Sequence, residues 1–254
     1  RKLLADVAAN GAGRRYLIQH SAGSGKSNSI AWLAHQLVGL RRGGRDVFDS
    51  IVVVTDRRQL DKQIKDTIKQ FAQVGSTIGH AEHSSNLRQF ITGGKKIIIT
   101  TIQKFPFVLD EIGDEHRDRT FAIIIDEAHS SQGGRTAAQM QRTLAPDGVE
   151  EDETYEDQIN RIIATRKMLP NASYFAFTAT PKNKTLEIFG ARAMVDGGVK
   201  PRPFHSYTMK QAIEEGFILD VLKGYTPVLS YYRLMKTVED DPEYDARKAK
   251  KKLR

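Results

Sequence analysis

A glycine-bearing turn near the start of the chain carries the residue types that hold phosphate. Residues 20–27 read His-Ser-Ala-Gly-Ser-Gly-Lys-Ser. Unpaired backbone N–H groups at the start of a helix bind phosphate, and glycines let the backbone approach it closely. Lys26 can reach the β- and γ-phosphates of ATP, and the Ser27 hydroxyl can ligate Mg²⁺. The predicted nucleotide contacts are Ser21, Ala22, Gly23, Ser24, Gly25, Lys26 and Ser27.

One position of this turn departs from the usual phosphate-binding loop, which has glycine where this chain has His20. A chance match of residues 23–27 in a flexible loop is the alternative interpretation. The flanking segments favour the nucleotide site, because an apolar run at residues 16–19 predicts a strand before the turn. After it, helical spacing relates four apolar residues, Ile30, Leu33, Ala34 and Leu37.

A pair of carboxylates follows another apolar run. Asp126 and Glu127 come directly after residues 121–125, Phe-Ala-Ile-Ile-Ile, which predict a buried strand. Open parallel sheets bind ligands at the carboxyl ends of their strands. Phosphoryl transfer needs a carboxylate for Mg²⁺ and a second group to orient the attacking water, so we assign Asp126 to the metal and Glu127 to the water. Acids complementing a helix dipole are the alternative; the turn upstream favours Lys26, Asp126 and Glu127 as catalytic residues.

The remaining apolar runs predict the scaffold that positions these groups. Strands are expected at residues 16–19, 50–55, 96–100, 121–125 and 174–177, and helical patterns at 3–8, 30–37, 57–71, 137–144 and 159–169. Strands that are apolar throughout and separated by helices predict an α/β fold: a mostly parallel sheet with helices on both faces. A chain of 254 residues can bury one large domain of this kind with a connector after it.

Composition excludes several classes of protein. Without cysteine, the chain has no disulfide framework and no thiolate metal site. No apolar run approaches the roughly 18 residues of a membrane span, so a cytoplasmic protein is expected. The net charge is +8, but six basic residues lie in the tail at 247–254, which leaves +2 for the rest. Any contact with nucleic acid must therefore come from local patches. The acidic segment at 147–157 predicts a solvated insertion.

Taken together, these motifs resemble motor domain 1 of a superfamily 2 helicase or translocase. Residues 20–27 resemble motif I, 53–58 motif Ia, 100–105 motif Ib, 126–129 motif II and 177–181 motif III. More narrowly, the amino-acid sequences of four stretches resemble those of the restriction (motor) subunit of type I restriction–modification enzymes. These stretches are residues 17–27, 55–61, 129–134 and 207–220.

The resemblance implies a RecA-like domain over residues 1–205 and a connector over 206–254 toward a second motor domain. It also implies residues that couple the nucleotide site to DNA, namely His129, Thr178 and Thr180. Loops after strands would contact DNA phosphates through cations, hydroxyls and amides. The candidates are Arg57, Arg58, Thr100, Thr101, Gln103 and Lys104. A solvated helix face explains the two arginines equally well on local grounds.

The function implied by the resemblance is ATP-driven translocation of double-stranded DNA, with the modification and specificity subunits of a type I restriction complex as partners. Neither an Asp-x-Lys nor a Glu-x-Lys triplet of the family's nuclease occurs in the chain. We expect the nuclease and the second motor domain to lie outside it, and this piece alone to bind ATP but hydrolyse it slowly. Four alternatives stay open: a type III restriction subunit, a DEAH-box RNA helicase, a P-loop kinase and a silent scaffold. Thr178-Ala179-Thr180, where those RNA helicases carry Ser-Ala-Thr, counts against them.

Overall fold

The computed structural model describes residues 1–55, 78–81, 83–126, 168–195, 198–220 and 223. The chain divides into a compact unit, Arg1–Phe217, and a second unit, Ile218–Arg254. In the second unit only residues 218–220 and 223 are described. All of the described helices and strands lie in the first unit.

The described part of this unit contains six α-helices and eleven strands. The helices are α1 (Lys2–Asn10), α2 (Lys26–Val38), α3 (Ser84–Thr92), α4 (Phe105–Asp114), α5 (Asn183–Phe189) and α6 (Met209–Glu214), with a 3-10 turn at Ile102–Lys104 before α4. The strands are β1 (Arg15–His20), β2 (Arg41–Arg42), β3 (Arg45–Asp46), β4 (Ser50–Thr55), β5 (Ile78–His80), β6 (Ile97–Thr101), β7 (Phe121–Asp126), β8 (Ala172–Thr178), β9 (Ala191–Val195), β10 (Gly198–Arg202) and β11 (His205–Tyr207).

Seven of these strands form one sheet in the order β11-β1-β8-β7-β4-β6-β5. Every neighbouring pair in this sheet is parallel. The prediction of a mostly parallel sheet is therefore confirmed. Because all seven strands run in the same direction, their carboxyl ends lie along one edge, where parallel sheets bind ligands. The other four strands form two antiparallel pairs, β2–β3 and β9–β10.

Both faces of the sheet are covered, as the continuous apolar strands predict. In β4 successive side chains point to opposite faces, so Ile51 and Val53 join one hydrophobic cluster and Val52 and Val54 the other. Helices α1 and α2 pack on the first face, and α3, α4 and α5 pack on the second. The predicted α/β fold with helices on both faces is confirmed.

Sequence patterns located the five strands of the sheet's centre and the first two helices, but missed the other six strands and the helices α3 to α6. Strands of three residues carry too little periodicity to be recognised. The predicted helices at 57–71 and 137–144 lie outside the described residues. Of the predicted helix at 159–169, only residues 168 and 169 are described. The predicted domain boundary at residue 205 coincides with the first residue of β11, whereas the compact unit continues to Phe217.

None of the described helices reaches the length and hydrophobicity that a membrane span requires.

Candidate nucleotide-binding site

The turn between β1 and α2 depends on two glycines in the left-handed region of backbone space. Gly23 has φ 74° and Gly25 has φ 87°. A Cβ atom added to Gly25 would meet no atom within 4 Å. The backbone conformation, and not a lack of space among the described atoms, therefore requires glycine at this position.

Helix α2 begins without any of the usual acidic or hydroxyl caps. Its N-cap is Gly25, which has no side chain to accept a hydrogen bond, and its first turn contains no acidic residue. The positive end of the helix dipole is thus not offset by a carboxylate of that turn. A helix start of this kind, directly after the end of a parallel strand, suits an anionic group such as phosphate.

The side chain of Lys26 extends from the start of α2 to the carboxylate at the end of β7. Its Nζ atom lies 3.0 Å from Oδ1 of Asp126. The Asp126 side chain is 1% exposed and that of Lys26 is 16% exposed. Beyond this ion pair, Oδ1 makes no hydrogen bond within the described part of the chain. The two motifs, 100 positions apart in sequence, therefore meet at one edge of the sheet.

This arrangement fits a triphosphate and Mg²⁺. A carboxylate and a hydroxyl are oxygen ligands, the type that Mg²⁺ prefers, and Asp126 and Ser27 could supply them. The buried carboxylate of Asp126 needs a neighbouring cation to offset its negative charge. Either the Lys26 ammonium or a metal ion could be that cation. Lys26 could then turn its ammonium to phosphate oxygens.

Two buried threonine hydroxyls lie at the same edge of the sheet. Thr178 ends β8 and Thr100 lies in β6; both are fully buried, and neither Oγ1 atom has a hydrogen-bond partner among the described residues. Thr178 pairs with Gln19 of β1, and the residue before it pairs with Asp126. A buried hydroxyl without a partner costs free energy, which a new hydrogen bond would recover. The Thr178 hydroxyl is thus able to accept or donate a further hydrogen bond beside the nucleotide site. Thr180 lies two residues beyond, on the surface, and the coupling role of both threonines stays a prediction.

The residues predicted to touch DNA after β6 differ in exposure. Gln103 is exposed, Thr101 and Lys104 are half-buried, and Thr100 is fully buried. The Lys104 ammonium donates a hydrogen bond to Thr101 Oγ1 at 3.4 Å. Thr100 offers DNA no surface in this conformation, whereas the other three do. Contact with DNA stays a prediction for all four.

Four other predicted site residues lie outside the described part of the chain. They are the proposed water-orienting Glu127, the coupling residue His129, and the DNA candidates Arg57 and Arg58. Their assignments stay predictions.

The hydroxyls of Ser21 and Ser24 point into the protein. Ser21 Oγ donates to Ser24 Oγ at 3.0 Å, and Ser24 Oγ lies 2.6 Å from the Ser21 carbonyl oxygen. The Ser21 backbone N–H donates to the Tyr207 carbonyl oxygen at 3.0 Å. Any nucleotide contact from these serines would therefore come from the Ser24 backbone. The contact of Tyr207 with this loop was not predicted, because β11 is short and lies far from the loop in sequence. The available signal for the hydrogen bonds around the loop was His20, which stands where glycine is usual.

One other group in the described part of the chain has metal-ligand atoms close together. Atoms of Glu111, Glu115 and His116 lie within 4.8 Å of one another. Arg88 Nε lies 2.9 Å from Oε2 of Glu111, so an arginine already offsets this carboxylate. We assign no metal to it.

Comparison with known proteins places the chain among ATPases. The family model described as SWI2/SNF2 ATPase matches residues 1–250. Among curated proteins, the chain is 26% identical over 235 residues to the type I restriction enzyme SsaAORF53P endonuclease subunit of Staphylococcus saprophyticus, covering 90% of this chain and 21% of that protein. It is 30% identical over 222 residues to the type I restriction enzyme HindI endonuclease subunit of Haemophilus influenzae, covering 80% of this chain and 18% of the relative.

A solved structure of a nuclease-deletion mutant of the type ISP restriction–modification enzyme LlaGI, in complex with a DNA substrate mimic, is similar at 16% identity. The match covers 95% of this chain and 22% of that one, with a TM-score of 0.49. The chain thus spans about a fifth of the length of the curated relatives described above. Since the family model matches nearly all of the sequence, the chain belongs to the SWI2/SNF2 ATPase family.

Proposed function

We propose that this chain is the ATP- and Mg²⁺-binding first motor domain of a double-stranded-DNA translocase, in the motor subunit of a type I restriction enzyme. The observation that carries the proposal is the 3.0 Å contact between Lys26 Nζ and Asp126 Oδ1. It brings the phosphate-binding turn and the buried carboxylate together at the ligand-binding edge of the sheet. The names of the curated relatives, type I restriction enzyme endonuclease subunits, support the restriction assignment.

The chemistry follows from which groups can hold charge at this edge. The backbone of residues 22–25 and the start of α2 would bind the phosphates, and Lys26 would exchange its contact with Asp126 for the γ-phosphate. Ser27 and Asp126 would hold Mg²⁺, which when bound neutralises the charge that develops on the phosphoryl group. Glu127 would orient the attacking water.

Coupling to DNA would use the ends of neighbouring strands. Thr178 is the last residue of β8, which pairs with both β1 and β7, so a shift at either would reach it. With Thr180 and His129, it would transmit the nucleotide state to loops that hold DNA phosphates. Those loops would use the exposed or half-buried Thr101, Gln103 and Lys104, together with the arginines of motif Ia.

The whole protein would need parts beyond those described. The resemblance implies a second motor domain that supplies arginine fingers to the γ-phosphate, a nuclease, and the modification and specificity subunits as partners. The chain covers only 21% and 18% of the two relatives described above, so proteins of that length have room for a second motor domain and a nuclease. A complex of this kind would act on DNA in the cytoplasm of a bacterial or archaeal cell.

The test measures ATP turnover by the full-length protein with duplex DNA, single-stranded DNA, RNA or no nucleic acid. We expect stimulation by duplex DNA alone, and its loss in Lys26→Ala and Glu127→Gln. Residues 1–254 by themselves should bind ATP and turn it over about 10³–10⁵-fold more slowly than the full-length protein, because an arginine finger contributes about that much. If RNA or single-stranded DNA stimulates ATP turnover, the proposal is wrong and the protein is a helicase acting on that nucleic acid. Turnover that needs no polymer would indicate a kinase-like enzyme, and binding without turnover a scaffold.

A further inference from the structure

His20 occupies a position where phosphate-binding loops have glycine, and its side chain contacts both the loop and the helix that follows it. It is the last residue of β1 and is 8% exposed. Its Nδ1 atom lies 2.8 Å from Ser24 Oγ in the loop, and its Nε2 atom lies 3.1 Å from Ser29 Oγ in the second turn of α2. A single imidazole thus bridges the strand, the loop and the helix.

The hydrogen bonds around this imidazole determine where its proton lies. The Ser24 hydroxyl has one proton, and its 2.6 Å contact with the Ser21 carbonyl oxygen uses it. Ser24 Oγ must then accept from His20, so Nδ1 carries the hydrogen. In the neutral imidazole Nε2 is then the acceptor, and Ser29 Oγ donates to it. Each proton in this arrangement is used once.

The surroundings of His20 favour the same neutral form. Burial is the largest influence on the pKa of His20 and lowers it; a hydrogen bond to the Ser21 backbone raises it by less, and the neighbouring Lys26 and His205 lower it by smaller amounts. The Tyr207 ring lies 5.2 Å from the imidazole, and the Tyr207 carbonyl holds the Ser21 N–H. The edge strand β11 therefore supports the histidine and the first residue of the loop together.

We propose that His20 is a positioning residue that holds the phosphate-binding loop in its nucleotide-ready shape before the nucleotide arrives. This inference rests on the proposed nucleotide site. Gly23 and Gly25 give the loop wide conformational freedom, which a ligand would otherwise have to remove on binding. Interactions that order a loop in advance raise affinity by reducing this cost. The hydrogen bonds of His20 to Ser24, which lies between the two glycines, and to Ser29, which lies after them, would do so.

The test is the dissociation constant of Mg-ATP and of Mg-ADP for variants of the full-length protein. His20→Ala removes both hydrogen bonds and should weaken binding about tenfold or more, since each bond is worth about 0.5–1.5 kcal/mol and 1.4 kcal/mol is tenfold. His20→Asn keeps a donor near the Nδ1 position and should recover part of this loss. The remaining defect should match that of Ser29→Ala. Combining His20→Asn with Ser29→Ala should then add no further loss.

Two controls separate the possible failures. His35→Ala alters another histidine of α2, remote from the loop, and should leave both constants unchanged. Lys26→Ala should abolish binding. If wild-type protein does not bind nucleotide, the proposed site itself is wrong. If wild type binds, Lys26→Ala does not, and His20→Ala binds as tightly as wild type, only the positioning role is overturned. The positioning role is also overturned if His20→Ala lowers urea stability while the folded protein keeps its affinity.

Discussion

Replacing Lys26 with methionine removes the cation that lies 3.0 Å from the buried carboxylate of Asp126. At that distance an effective dielectric constant of about 20 gives a gross attraction of about 5.5 kcal/mol. Breaking one side of a buried pair typically costs about 3–5 kcal/mol, because the remaining charge stays buried without a partner. Lys26 is 16% exposed, so water offsets part of the effect. We expect Lys26→Met to lower the free energy of unfolding by about 2–4 kcal/mol.

The assay is urea unfolding of Lys26→Met, Asp126→Asn and the double variant, without nucleotide. If the loss comes from the unpaired carboxylate, the double variant should be more stable than Lys26→Met, because the buried charge is gone. Lys96→Met is the matched control, since its ammonium is 3.5 Å from Asp46 but both side chains are more than a third exposed. It should show no measurable change. The reasoning is refuted if Lys26→Met is no more destabilising than Lys96→Met, or if the two site mutations are simply additive.

Gly25→Ala should lower the free energy of unfolding by about 1–2 kcal/mol, because φ at this residue is 87°. Gly39→Ala is the control and should cost nothing, because φ there is −96° and an added Cβ would meet open space. Equal effects of the two variants in urea unfolding would contradict the backbone argument. Lys104→Gln should lower the salt slope of duplex-DNA binding by about one unit, as titrations at several salt concentrations would show; an unchanged slope removes Lys104 from the contacts. Because burial lowers the pKa of His20, the unfolded chain binds more protons just below pH 6.5, so wild-type stability should fall on acidification there. In His20→Asn that part of the pH dependence should be absent, and an identical profile would exclude the histidine as its source.

Local sequence patterns were sufficient for the elements that combine length with uniform hydrophobicity. The run at β4 and the run at β7 are buried over every residue, and short apolar runs rich in β-branched residues favour strands buried on both faces. Helix α4 was missed because its first residues, Phe105 and Pro106, read as the end of a motif-bearing loop. Proline is nevertheless well suited to the first turn of a helix, and the apolar face behind it packs on the sheet. Phe105, Val108, Leu109 and Ile112 repeat at helical spacing, so the local sequence carried a signal for α4 that the prediction did not use.

The role of β11 shows why its position could not be read from the chain. His205–Tyr207 is three residues long and carries no buried residue, so nothing in its composition marks it as part of a sheet. It pairs with β1 because that strand's other side is taken by β8, which leaves one open edge for hydrogen bonding. Through this pairing the Tyr207 carbonyl reaches the phosphate-binding loop.

The sequence by itself determined the type of chemistry: a lysine and a hydroxyl after a glycine-bearing turn, and a carboxylate after an apolar run, are residue types suited to phosphate and magnesium. It also determined the parallel character of the sheet, since strands apolar on both faces must be covered on both. Only the tertiary structure decided that the two motifs meet, because strand order is set by long-range pairing and places β1 and β7 on either side of β8. Long-range pairing with β11 also places the Tyr207 ring against His20, whose local hydrogen bonds to Ser24 and Ser29 turn a departure from a familiar pattern into a support for the loop.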